Sequence, residues 1–267
     1  MDIAIIGSGP TGMTAALLLA RQGHRITLAD RDPGPMPGKP WNRVGVMQFH
    51  LPHGFRSQCR RLLLDRLPDV YAAILDAGAT VVVPVGAPET AAMLHVRRSV
   101  FERAYWAATS DEPRVTRLTG HVDGIEIEGG GAVGVMVDPR FVPADLVVDA
   151  SGRAGRLSAA YRPRPERVDC GMAYAARQYR QRPGSAPGPI NGGPGFMAHH
   201  RGFLVWCSST RREPLRCCSS GPAMTRPSPC SATLRPSMPP VRRFPASPNG
   251  PIRIGASPST RYGPGQG

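Results

Sequence analysis

No apolar run in this 267-residue chain reaches the roughly 18 residues that a membrane-spanning helix requires. Nor does the chain open on a basic segment followed by an apolar core, as an export signal would. A cytoplasmic protein with no membrane partner is therefore expected. Metal-ligand spacing is missing as well. The six cysteines, Cys59, Cys170, Cys207, Cys217, Cys218 and Cys230, form no CxxC pair, so neither a zinc site nor a disulfide framework is expected. Acidic residues are scarce, 19 against 33 basic ones, and the formal charge is +14. Residues 208–267 alone hold nine Arg and one Glu, so most of the excess belongs to the tail. Binding of single-stranded nucleic acid calls for aromatic side chains among the cations. The tail offers only Phe244 and Tyr262, and no specific nucleic-acid partner is expected.

The same tail is poor in core-forming residues, with five Val, Ile or Leu and twelve Pro in its sixty residues. Such a composition neither propagates a helix nor buries a core. The reading is an ordered chain to about residue 207 and a disordered, basic, Pro-rich segment over 208–267. That segment is either a natural tail or the product of a truncating reading-frame shift, since out-of-frame GC-rich codons yield Arg, Pro, Ser, Ala, Gly and Cys.

Before the tail, apolar periodicity and turn signals alternate. Asp2 to Ile6 is a short apolar run suited to a buried parallel strand. Gly7-Ser8-Gly9-Pro10-Thr11-Gly12 follows, then an Ala/Leu-rich helical segment to Arg21 that Gly23 is placed to end. A second strand from Arg25 to Ala29 runs into Asp30. In a GxGxxG turn the first glycine makes the bend, the second lets the backbone approach a pyrophosphate, and the third permits close packing of helix on strand. Backbone N–H groups and the positive helix end then hold the phosphates, and an acid in the place of Asp30 accepts ribose hydroxyls. Gly7, Gly9, Thr11, Gly12 and Asp30 are the first candidate site residues, with Arg31 beside them. The turn alone does not separate NAD from FAD.

Farther on, "HVDGIEIEGGGAVGVMVD" reads as a hairpin through Gly129-Gly130-Gly131. "RRSVFERAYWAA" reads as a helix with a capping box from Ser99 to Glu102 and Val100, Phe101, Ala104, Tyr105 and Ala108 on one face. "ADLVVDASGR" is an apolar strand running into Asp149-Ala150-Ser151-Gly152-Arg153. His50 and His53 could pair on a metal, but Pro52 breaks any helix that would align them and no third ligand is near, so no metal site is expected.

The opening turn, "RRSVFERAYWAA" and "ADLVVDASGR", in that order, resemble the FAD-dependent monooxygenases related to para-hydroxybenzoate hydroxylase over residues 1 to about 206. The resemblance implies an α/β, Rossmann-like, three-layer FAD/NAD(P)-binding fold with the beginning of a β-rich substrate domain. It implies an FAD-binding domain over 1–160, with 34–96 inserted near the flavin, and a partial substrate-binding sheet over 161–207. It points to Arg98, more than Arg97, and to Asp149, Gly152 and Arg56 as further FAD contacts. NADH or NADPH would be the electron donor and a small, aromatic molecule the substrate. That family also carries a late Gly-Asp motif that holds the flavin's ribityl chain. No Gly-Asp dipeptide occurs here, so a catalytically silent flavin-binding chain is the alternative reading.

Overall fold

The computed structural model describes residues 1–161 apart from 47, 85 and 154, then residues 163, 166 and 168 and the strand segments 175–180, 195–200, 203–210 and 213–220. Two compact units emerge, Met1–Arg167 with Thr210–Pro214, and Val168–Ser209 with Leu215–Gly267.

The first unit begins with β1 (Asp2–Ile6), α1 (Pro10–Arg21) and β2 (Arg25–Asp30), as the apolar periodicity predicts. Pro10 opens α1, where its missing N–H costs nothing. Gly23 closes it with φ +96°, its N–H donating to the Ala20 carbonyl at 2.9 Å while the His24 N–H reaches the Leu19 carbonyl at 3.2 Å. β3 (Pro52–Phe55), α2 (Ser57–Arg66), α3 (Pro68–Asp76), β4 (Thr80–Val82) and β5 (Met93–Arg97) follow, then α4 (Arg98–Asp111) and β6 (Val115–Thr119). β7 (Val122–Glu128), β8 (Gly131–Val137) and β9 (Arg140–Pro143) form an antiparallel meander before β10 (Leu146–Asp149). The expected hairpin is β7–β8. It turns on Gly129 and Gly130, both with positive φ (57° and 83°), which suits the tight primed turns glycine favours.

β10, β1, β2 and β6 make one parallel sheet in that order, and alternation along β1 sorts its two faces. Ile3 and Ile5 pack with Met13, Leu17, Leu63, Ile74, Phe101 and Tyr105 of the helices. Ala4 and Ile6 pack with Val122, Val135, Val137 and Val142 of the meander. Helices, parallel sheet and meander are thus the three layers expected. The segment 34–96, read from sequence as an insertion, contributes Leu63, Leu67, Val70, Ile74, Leu94 and Val96 to the main core. It is integral to the unit.

β11 (Ala175–Arg180), β14 (Glu213–Ser220), β13 (Phe203–Thr210) and β12 (Gly195–His200), which apart from Thr210, Glu213 and Pro214 belong to the second unit, form a second sheet in that order. This changes the expected boundary at 207. β13 crosses it, and Glu213–Ser220, assigned to the tail, pairs antiparallel with β11 from Ala175↔Ser220 to Arg180↔Leu215. Strand pairing uses backbone groups that composition does not report, and Pro214 sits near the strand start, where proline is tolerated. The remaining expected tail, 221–267, lies outside the described residues. Among the described residues no helix is long and apolar enough to cross a membrane.

Candidate functional site: a glycine turn over a buried arginine

The turn between β1 and α1 stands at the carboxyl end of the parallel sheet, where open α/β folds bind ligands. Two of its glycines are required by the protein itself. Gly7 has φ +99°, and a Cβ there would meet the Ala150 carbonyl oxygen at 2.6 Å; a Cβ on Gly12 would stand 1.8 Å from the Gly7 carbonyl oxygen. Gly9 differs, for a Cβ there would meet nothing within 4 Å. Nothing among the described residues requires a bare backbone at Gly9, and its open side leaves room for a group from outside. The Ser8 N–H is already committed to Asp30 Oδ2 at 2.6 Å, and Pro10 has none. The amides of Thr11 and Gly12 are first-turn donors without an intrahelical acceptor. With Gly9 they form the cradle, and Thr11 is exposed at its rim.

Asp30 ends β2 beside the turn. Its Oδ2 accepts from the Ser8 N–H, from Ser8 Oγ at 2.8 Å and from Arg43 Nη2 at 2.7 Å, while Oδ1 accepts from the Asp32 N–H at 2.9 Å. Burial works against its charge, but the hydrogen bonds from Asp32 and Ser8 and the Arg43 charge outweigh it and hold the carboxyl below its ordinary value. A carboxylate offers about four acceptor positions. Three donors crowd Oδ2, so the capacity left for a ribose hydroxyl is on Oδ1.

Sequence reasoning missed Arg43. Only 7% exposed, it lies in the loop after β2, below the turn. Nε donates to Asp32 Oδ2 at 3.0 Å; Nη1 donates to the Ser8 carbonyl at 2.9 Å and to Glu102 Oε2 at 2.8 Å; Nη2 donates to Asp30 and, at 3.4 Å, to Ser8 Oγ. Burial disfavours the charged guanidinium, yet Glu102, Asp30 and Asp32 together bind its proton more tightly than in an ordinary arginine. Asp32 also gathers the loop, its Oδ1 accepting from the Gly34 N–H at 2.8 Å and from Trp41 Nε1 at 3.1 Å.

Glu102, with no exposed side-chain surface, accepts from Arg98 Nε at 2.5 Å through its other oxygen. The capping box expected from Ser99 to Glu102 does not form. α4 begins at Arg98 with Arg97 in the cap position and no side-chain cap. The Arg98 and Ser99 N–H groups donate instead to the carbonyls of Leu51 (3.1 Å) and Phe49 (2.8 Å), so Glu102 turns inward to the arginines. A charged residue among Phe101, Tyr105 and Thr109 on the buried face of α4 was the available signal that a buried cation lay opposite.

On the other side of the turn, Ile6 pairs with Asp149 and the Ala150 N–H donates to the Ile6 carbonyl at 2.8 Å. The Asp149 carboxylate accepts from the Ser151 N–H at 3.0 Å, from the Ser151 hydroxyl and from the Ser158 N–H at 3.2 Å. These bonds overcome burial and keep its pKa low. Gly152 follows with φ +82° and open space where a Cβ would stand. Gly7, Gly9, Thr11, Gly12, Asp30, Asp149 and Gly152 thus come together at three adjacent strand ends. Arg98 joins them through Glu102 and Arg43. Arg31 is exposed, its Nη2 3.0 Å from where a Gly45 Cβ would lie. Arg56 is exposed at the cap position of α2, and no described contact links it to the turn. His50 and His53 bond to Asn42 Oδ1 and the Leu51 carbonyl, both at 3.2 Å.

Comparison with known proteins bears on the fold. The family described as FAD dependent oxidoreductase matches residues 2–78. The 6-methylpretetramide 4-monooxygenase of Streptomyces rimosus is 32% identical over 179 residues, 57% of this chain and 38% of that protein. PqsL of Pseudomonas aeruginosa, a probable FAD-dependent monooxygenase, superposes with a TM-score of 0.64 at 14% identity, over 83% of this chain and 60% of that one. The fold is that of an FAD-dependent oxidoreductase. CtdE, solved in complex with FAD, matches with a TM-score of 0.61 at 16% identity, over 85% of this chain and 61% of that one. The chain therefore spans between about two fifths and three fifths of these proteins. FAD is the cofactor that the matched family's description names and that CtdE was solved with, and the residues present here fit it. The open space at Gly9 and the three amides suit a pyrophosphate, and Oδ1 of Asp30 suits a ribose hydroxyl.

Proposed function

We propose that this chain binds FAD at the Gly7–Gly12 turn and serves a flavin-dependent monooxygenase that hydroxylates a small, aromatic substrate, with NADH or NADPH as electron donor. The observation that carries the reading is the convergence of the glycine cradle, Asp30 and the Asp149–Gly152 loop on adjacent ends of β1, β2 and β10. The likeness to 6-methylpretetramide 4-monooxygenase supports the hydroxylase class, and likeness to PqsL, also solved with 2-aminobenzoylacetate, supports an aromatic substrate.

When bound, FAD supplies electron transfer and the activation of oxygen. The chain's part is binding and placement. The Gly9, Thr11 and Gly12 N–H groups hold the pyrophosphate with the help of the α1 dipole. Asp30 accepts a ribose hydroxyl, and Arg98, Arg56 and Arg31 supply positive charge. The sheet β11-β14-β13-β12 is assigned to the substrate. A second reading is an FAD-binding chain that by itself does not turn the flavin over productively, since no Gly-Asp dipeptide occurs in these 267 residues. The experiment is to supply NADH or NADPH, FAD and a panel of phenols, then measure hydroxylated product against hydrogen peroxide. Product in step with NAD(P)H consumption supports the hydroxylase; peroxide alone supports the silent chain; no FAD binding removes both.

A further inference from the structure

We infer that Arg43 and Glu102 are positioning residues: Arg43 holds the glycine turn in shape without touching the cofactor, and Glu102 orients Arg98 to meet it. The inference rests on the FAD-binding reading above and concerns how this chain's own residues prepare that site.

An arginine has five N–H donors and no acceptor. For Arg43 all five are accounted for within the protein, one on Asp32, one each on the Ser8 carbonyl and Glu102, and one each on Asp30 and Ser8 Oγ. With 7% of its side chain exposed and no donor left over, Arg43 cannot also bind a phosphate. Its work is done on Ser8. The Ser8 carbonyl and hydroxyl are pinned by Arg43, while the Ser8 N–H and hydroxyl are pinned by Asp30, which Arg43 also holds. The residue between the two glycines is thereby fixed on three of its polar groups, and the neighbouring Gly9, Thr11 and Gly12 amides are left without an acceptor among the described residues.

Arg98 is the opposite case. Its Nε is spent on Glu102, but its two terminal amino groups carry no hydrogen bond among the described residues, and 27% of the side chain is exposed. Glu102 divides its carboxylate between the two arginines, Oε2 to Arg43 and Oε1 to Arg98. Because Glu102 is fully buried, water cannot take over either bond. A buried carboxylate anchored on Arg43 therefore sets the direction in which the free edge of Arg98 points. Arg98 is then the member of this unit that reaches an anionic ligand, and Glu102 acts on that ligand through Arg98, while its bond to Arg43 supports the turn.

The test is a double-substitution cycle on FAD affinity in the full chain, read by quenching of flavin fluorescence and needing no turnover, with the melting temperature of each apoprotein as a folding control. Glu102→Gln and Arg98→Met should each weaken FAD roughly tenfold, the scale of a lost charged hydrogen bond. In the Arg98→Met background, Glu102→Gln should weaken it by less than about a further twofold, because the route through Arg98 is gone and the amide oxygen that remains can still accept from Arg43. Equal effects of Glu102→Gln in both backgrounds would overturn the inference. If Glu102→Gln fails to fold, Arg98→Lys decides. It keeps the charge, but its single ammonium cannot both satisfy Glu102 and reach the cofactor as the fork does, so it should also lose roughly tenfold in affinity; wild-type affinity in Arg98→Lys would overturn the inference. A wild-type chain that does not bind FAD overturns the reading and the inference together, whereas a chain that binds FAD with fully multiplicative effects overturns the inference alone.

Discussion

Replacing Asp30 separates two roles that the sequence alone would merge. If Asp30 were only a ribose acceptor, Asp30→Ala would weaken FAD and leave the apoprotein as stable as before. The structure predicts otherwise. The substitution removes an acceptor from the Ser8 N–H, from Ser8 Oγ, from the Asp32 N–H and from Arg43, a guanidinium only 7% exposed. Breaking a buried ion pair by removing one partner costs about 3–5 kcal/mol. Asp32 and Glu102 stay with Arg43 and soften that loss, while the unsatisfied Ser8 N–H adds about 1–3 kcal/mol. We expect a net destabilisation of about 3–5 kcal/mol, which for a unit of this size lowers the melting temperature by roughly 6–20 °C. Asp30→Asn keeps a carbonyl for Ser8 and Arg43 but turns an amide donor toward the Asp32 N–H, so its loss should be smaller, about 1–3 kcal/mol. The assay is thermal and urea unfolding of the apoproteins by circular dichroism. An Asp30→Ala apoprotein melting within about 2 °C of wild type would refute the hub argument.

The two glycines flanking Pro10 and Thr11 should separate in the same way. Gly9→Ala should leave apoprotein melting nearly unchanged yet weaken FAD at least roughly tenfold, since its Cβ enters open space; Gly12→Ala should lower both, since its Cβ meets the Gly7 carbonyl. Parallel effects of the two on stability would show that Gly9 faces protein. The depressed carboxyls of Asp30 and Asp149 contribute stability that is fully present above the unfolded carboxyl value of about 3.9 and is lost as pH falls through the lower folded values. Urea midpoints should therefore drop below about pH 4, and Asp30→Asn should flatten that slope; a slope unchanged in Asp30→Asn would remove Asp30 from the account. Gly34, with φ +88° and Trp106 carbon atoms 1.9 Å from where a Cβ would stand, should not accept Ala without a fall in melting temperature, and an unaltered Gly34→Ala would show that the loop repacks freely.

What the sequence makes legible here is what is local. A strand, a glycine turn, a helix stopped by Gly23 and a second strand ending in an acid occupy thirty consecutive residues, and each rests on periodicity or on backbone sterics. The β7–β8 hairpin is legible for the same reason. Asp149 and Gly152 are found through family resemblance, because an acid before small residues at a strand end says only that the chain turns. The Arg43 network was hidden because its partners lie far along the chain: Ser8 is 35 residues away and Glu102 59. A faint trace existed, an arginine in the apolar, aromatic stretch from Trp41 to Phe49 and a glutamate on the buried face of α4. Neither predicts the other without the fold. β14 was missed for a different reason, since its pairing with β11 is made by backbone groups that every residue but proline carries.

The central claim, that the Gly7–Gly12 turn is an FAD site, is tested most directly by titrating the purified full chain with FAD in an isothermal calorimeter, then repeating the titration with NAD. The account predicts saturable binding of FAD at one site, with NAD weaker. Tighter binding of NAD, or no heat of binding with FAD, would contradict it.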